Sequence, residues 1–154
     1  MKLIPLTQGF VTFVDDEDFD YLSQFNWFYV NGYAGRRFWD HGKKGLLYMH
    51  RVILNSPKGM DTDHINRYGL DNRRSNLRIC TRSQNLANRS LHRNNSSGRR
   101  GVFWSKQDSK WMARVKFNKR SYFVGSFDNI DDAARAYEVK AQELFGDFYQ
   151  RSSL

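Results

Sequence analysis

The sequence predicts an α+β protein in two parts. Small N-terminal strands lead into a strand–loop–strand–helix unit, and a three-stranded antiparallel sheet packed on one helix follows. Three observations carry this prediction. Short apolar runs in residues 1–60 are broken by turn residues. "KWMARVKF" alternates strictly, and "NIDDAARAYEVKAQELFG" has apolar residues at helical spacing.

Taken in order, "GFVTFVDD" alternates as a half-buried strand does. "DDEDFDYLSQF" places Phe19, Leu22 and Phe25 at helical spacing behind an acidic start, which suits a helix N-terminus. Asn31-Gly32 between two aromatic runs is a hairpin signal, and "GLLYMHRVIL" is a further apolar stretch read among the strands. "TDHIN" ends a short extended segment, a loop holding Asn66, Gly69, Asp71 and Asn72 follows, and "NLRIC" is a second strand. Thr81 then stands as N-cap candidate for a short helix bearing Asn85 and Asn88.

"RSLHRNNSSGRRG" has almost no apolar side chains, so residues 89–98 are expected to link a first domain, 1–88, to a second, 99–154. In the second, "GVFW", "KWMARVKF" and "SYFVGSF" form the strands. Trp111, Ala113, Val115 and Phe117 face inward while Lys110, Met112, Arg114 and Lys116 face out. Asn129 caps the closing helix, Ala134, Tyr137, Ala141 and Leu144 form its buried stripe, and Gly146 stops it.

Composition narrows the function classes. The net charge of +9 is uneven, with eight Lys or Arg against one Asp between residues 96 and 126. A phosphate-rich partner matches such a block. No apolar run approaches the ~20 residues of a membrane span and the N-terminus lacks a signal-peptide core, so a soluble, cytoplasmic protein without a membrane partner is expected. The single Cys80 excludes an internal disulfide. Cys80, His50, His64 and His92 have no zinc-motif spacing, and His41 and His92 read as surface residues in basic loops.

The Asp63-His64 pair is the chemical centre of the sequence. Phosphodiester hydrolysis needs an activated water and a cation to neutralise developing charge. A neutral imidazole at His64 would take the water's proton, and an amide oxygen at Asn76 would fix its tautomer. Asp63 and an asparagine carbonyl are oxygen ligands suited to a hard cation. Asn66 and Asn72 read as turn formers.

In "MHRVI", "DHIN", "LDNRRSNLR" and "TRSQN" the stretch from about Gly45 to Asn88 resembles the His-Asn-His (HNH) endonucleases of ββα-metal fold, especially phage and homing-type members. The resemblance implies His64 as general base, Asp63 and Asn85 as ligands of one Mg²⁺ or Mn²⁺, and Asn76 as the residue orienting His64. His50 matches a recurrent family position, and Asn85 stands where the family name would suggest histidine. "RGV", "KW.A.V", "VGSF" and "AARAYE" are similar to the plant AP-two/ethylene-response-factor DNA-binding domain. By position that likeness implies Arg100, Phe103, Ser105, Arg114, Lys116 and Tyr122 or Phe123 on a DNA-facing sheet. Phe103 and Ser105 stand where plant members often carry arginine, so the plant target sequence should not transfer. A monomeric nuclease on double-stranded DNA is the function expected. A non-catalytic DNA-binding protein with a relic nuclease half, and an RNA-processing nuclease, are the rivals.

Overall fold

A computed structural model describes residues 1–89, 91 and 94–149. Its contacts divide the chain into two units, Met1–Thr81 and Arg82–Leu154.

In the first unit, β1 (Lys2–Pro5) pairs antiparallel with β2 (Val11–Val14), and α1 (Asp16–Leu22) opens on Asp16, Glu17 and Asp18. Those acids oppose the partial positive charge of the helix start. β3 (Phe28–Val30), β4 (Tyr33–Asp40) and β5 (Lys43–Tyr48) form an antiparallel sheet in that order. Asn31 and Gly32 both take positive φ, 49° and 89°, as a tight two-residue hairpin requires. The stretch read as extended does not stay so: Met49–Ile53 is a short helix, α2, with Met49 and Ile53 buried four residues apart. Helical spacing lets both reach one core with Ile4, Val14, Leu22, Trp27, Ala34 and Leu77.

β6 (Asp61–His64) and β7 (Leu77–Cys80) pair antiparallel, with His64 opposite Leu77 and Asp63 opposite Arg78. Their connecting loop is seated on β2, where Phe13 N donates to Leu70 O at 2.9 Å and Asn72 N to Phe13 O at 2.8 Å. Gly69 is required by close approach, because a Cβ there would lie 2.4 Å from Gly32 O and 2.6 Å from the Tyr33 ring.

The second unit holds α3 (Arg82–Asn88), the antiparallel strands β8 (Val102–Ser105), β9 (Lys110–Phe117) and β10 (Arg120–Phe127), and α4 (Ile130–Phe145). β9 is central in the sheet. Asn129 caps α4 through its side chain, which accepts from Asp131 N at 2.7 Å, and Gly146 ends it. The buried stripe is Ala133, Tyr137, Ala141 and Phe145, spaced by four throughout. Ala134 and Leu144, expected in it, flank the seam half-buried, because the contact line follows the i, i+4 row more closely than the sequence stripe suggested.

Helix α3 packs within this second unit. Ala87 joins its core, and Asn118 N donates to Ser83 Oγ at 3.0 Å. The sequence places this helix with the residues before it, whereas its contacts group it with those after it. Of the expected linker, residues 94–98 are tied locally, with Ser97 Oγ donating to Val102 O at 2.7 Å and Asn95 Nδ2 to Arg99 O at 3.1 Å. His92 lies outside the described residues. Among the described residues no helix is long and apolar enough to cross a membrane.

Candidate active site

His64 is the last residue of β6 and is only 5% exposed. Its Nε2 lies 3.2 Å from Asn72 Oδ1. Asn72, fully buried, donates from Nδ2 to Thr12 Oγ1 at 2.7 Å, and Thr12 donates its hydroxyl proton to Leu70 O at 2.8 Å. This chain has one polarity. A backbone carbonyl can only accept, so the Thr12 proton is committed to Leu70 and its oxygen must accept from the amide. The amide therefore turns its oxygen to His64, which must donate from Nε2. Neutral His64 is then the Nε2–H tautomer, with its lone pair on Nδ1.

The asparagine expected in this role does something else. Asn76 Oδ1 accepts from Asn66 N at 2.9 Å, and its Nδ2 donates to Asn66 Oδ1 at 3.0 Å and to Asp71 O at 2.8 Å. Asn76 braces the loop, and Asn72, read as a turn former, holds the imidazole. Asn66 does form a turn, its side chain accepting from Tyr68 N at 2.8 Å. Sequence reasoning missed Asn72 and Thr12 because their pairing spans 60 residues. The burial of an asparagine at the loop's end could not be read locally.

His50, on α2, meets His64 edge to face at a ring separation of 5.0 Å and stacks on Tyr48 at 5.4 Å. Tyr33 touches both imidazoles, 5.4 Å from His50 and 5.6 Å from His64. His50 Nδ1 is buried without a hydrogen-bond partner among the described residues. Asp63 is also buried, and Arg78 reaches its Oδ2 with Nε at 2.9 Å and a terminal nitrogen at 2.7 Å. Asp71 is gripped by the Arg73 fork, two contacts of 2.7 Å, and that pairing holds its carboxyl below the usual range. Asn85 lies half-buried on α3 in the second unit.

The HNH endonuclease family model matches residues 48–87, from Tyr48 through β6, the loop and β7 into α3. An uncharacterized HNH endonuclease of Acanthamoeba polyphaga mimivirus is 30% identical over 145 residues, spanning 92% of this chain and 74% of that protein. The chain belongs to the HNH endonuclease family. Protein 3.8 of Escherichia phage T7 is similar as well, 32% identical over 92 residues, which cover 60% of this chain and 75% of that protein. No solved structure matches.

HNH nucleases are in general dependent on a divalent metal. Among the described residues no group of three or more His, Cys, Asp or Glu is placed to hold a metal ion. Asp63 is a buried carboxylate of the first unit and Asn85 a half-buried amide of the second, and each is by its chemistry an oxygen donor of the kind a hard cation takes.

Burial pushes both HNH imidazoles below their ordinary 6.5, His50 to about 3, helped by His64 and Arg51. For His64 the Asn72 hydrogen bond and the carboxylates of Asp63 and Asp71 oppose that shift. Both rings are neutral at pH 7, the state a proton acceptor needs. A stability effect follows. Between pH 6.5 and about 3 the unfolded chain protonates His50 while the folded one does not, so unfolding free energy falls as pH falls through that window. One such group gives a slope of ~1.4 kcal/mol per pH unit. Chemical denaturation of wild type and His50→Gln between pH 6.5 and 4 should show the steeper loss in wild type; equal slopes would refute the assignment. Asp71, whose pKa is depressed, contributes in the same direction only below about pH 4.

In the second unit the strand register sorts the expected DNA-facing residues. Phe103, Arg114, Lys116 and Phe123 stand on the face away from buried Ala113 and Val115, with Arg114 over the Phe103 ring at 5.3 Å. Ser105 shares that face, but its hydroxyl is held by Asp108 at 2.6 Å. Tyr122 does not belong there: it pairs with Val115, on the inward side. Arg100 is turned away too, donating to the carbonyls of Ala87 and Arg89. Ala87 lies in the last turn of α3 and Arg89 just past its end, where unpaired carbonyls attract a guanidinium.

Proposed function

We propose that this HNH-family chain is a metal-dependent DNA endonuclease. The observation that carries the reading is the Leu70–Thr12–Asn72 chain, which ends on a buried, neutral His64 and sets its tautomer. His64 Nδ1 takes a proton from water; the water oxygen attacks phosphorus as the bond to the leaving oxygen breaks. That oxygen departs with the electron pair and takes a proton from solvent water, and the imidazolium later returns its own proton to solvent. Nε2–H, held by Asn72, keeps the ring aimed as it becomes imidazolium. Asp63 and Asn85 would hold a divalent ion, Mg²⁺ or Mn²⁺, which supplies Lewis-acid neutralisation of phosphate charge. Asn76 acts by bracing the loop, and His50 by packing against the base.

The outer face of the second unit, with Phe103, Arg114, Lys116 and Phe123, docks on double-stranded DNA, phosphate contacts positioning it. The likeness to the AP-two/ethylene-response-factor domain supports this reading, minus Arg100 and Tyr122. The whole acts in the cytoplasm, as a monomer on DNA that cuts one strand or both. The test is supercoiled-plasmid nicking with Mg²⁺ or Mn²⁺, then with EDTA. Nicking that needs the cation and is lost in Asp63→Ala is expected; nicking indifferent to EDTA, or none with either ion, would overturn the proposal. An RNA substrate run in parallel separates DNA from RNA cleavage.

A further inference from the structure

Pairing in the β3–β4–β5 sheet places one set of side chains on a common face. Val30 pairs with Tyr33, Phe28 with Gly35 and Gly35 with Tyr48, then Arg37 with Leu46 and Trp39 with Lys44. The face begins at the nuclease site, since Tyr33 and Tyr48 are the rings that touch His50 and, for Tyr33, His64. From Tyr33 to Trp39 it runs about 20 Å at ~3.4 Å per residue, the length of about six stacked nucleotides.

This face is built to receive something. A groove of about 430 Å³ lies on it, lined by Phe28, Val30, Leu46, Arg37, Trp39 and Lys44. Gly35, on the same side of the sheet, lets Val30 and Leu46 close over its backbone, because a Cβ there would meet Val30 Cγ1 at 2.8 Å and Leu46 Cδ1 at 3.1 Å. Trp39 is 68% exposed, which is unusual for the largest apolar side chain, and Lys44 Nζ sits 4.6 Å from its ring centroid. Arg37 and Lys44 have no ion-pair partner among the described residues, and no carboxylate stands among the residues paired across this face. The nearby Asp40 pairs with Lys43 in the opposite orientation and binds His41 at 2.6 Å.

We propose that this face is the track for the DNA flanking the cleaved phosphate. Arg37 and Lys44 meet backbone phosphates, and Trp39 packs its ring on a sugar or base. Cations without carboxylates select a polyanion, exposed indole supplies a stacking platform, and continuity with Tyr33 and His64 selects the nuclease substrate itself. The inference rests on the nuclease reading, and it is separate from the second unit's docking sheet.

The experiment measures binding of the full chain to a labelled mixed-sequence DNA duplex several turns long, across a salt series, alongside plasmid nicking. Arg37→Ala with Lys44→Ala should make the log–log salt slope shallower by about 1.8, at ~0.9 per lost phosphate contact. Trp39→Ala should weaken binding ~10-fold, and Trp39→Phe should restore most of it. These side chains are exposed, so unchanged circular dichroism is expected. If wild type nicks while the variants keep its affinity and slope, the track is wrong and the nuclease reading stands. If the variants lose binding but wild type never nicks, the track is a DNA surface and the nuclease reading fails.

Discussion

His64→Ala is expected to lower the plasmid-nicking rate by ~10²–10⁴-fold, the usual contribution of a positioned general base. The ring is buried between Tyr33, His50 and Asn72, so truncation also leaves a cavity and an unpaired Asn72 oxygen. A cost of about 2–4 kcal/mol in stability accompanies it. The two effects must be separated, and chemical rescue does so. Added imidazole can restore proton transfer to a folded protein with a vacant base position but cannot refold an unfolded one. Single-turnover nicking by His64→Ala at a temperature where circular dichroism shows it folded, with and without imidazole, is the measurement. Wild-type rates in the folded variant would remove His64 from the mechanism.

The second large effect is expected at Asn72. Asn72→Leu keeps the branched skeleton but, besides adding bulk, strands two buried groups, His64 Nε2–H and the Thr12 hydroxyl oxygen. Each costs ~1–3 kcal/mol, so unfolding free energy should fall by about 2–5 kcal/mol. With the tautomer no longer enforced, kcat/KM should fall ~10–100-fold below the melting range. A purely structural role would give the first result without touching the pH profile, so Asn72→Asp is the decisive companion. A carboxylate still accepts from Nε2–H but stabilises the imidazolium, raising the His64 pKa. The acidic limb of the pH–rate curve should then move to higher pH. An unmoved limb would show that Asn72 does not act through His64.

Much of the molecule was legible locally. The Asn31-Gly32 hairpin, the acidic start of α1, the alternation of β9 and the Asn129 cap each depend on neighbours within a few residues. The ordered blocks "DHIN", "LDNRRSNLR" and "TRSQN" likewise mark the HNH segment locally. Where local signals competed with packing, packing won. Met49–Ile53 became helical because both ends enter one core, and the α4 seam shifted by one residue toward Ala133 and Phe145.

The sequence by itself determined the chemistry available: an Asp-His pair, a run of amides and a basic second half. Only the tertiary structure decided which amide does which work. Asn72 and Asn76 are four residues apart in one polar loop, and nothing in their local context distinguishes them. The difference is made by Thr12, brought from β2 across 60 residues, which accepts from Asn72 and passes a fixed hydrogen-bond polarity to His64. Long-range pairings of this kind carry no periodicity and no turn signature, so no local rule records them. The same holds for the Tyr33–Arg37–Trp39 face, whose residues are scattered in composition but share one side of a sheet by register alone.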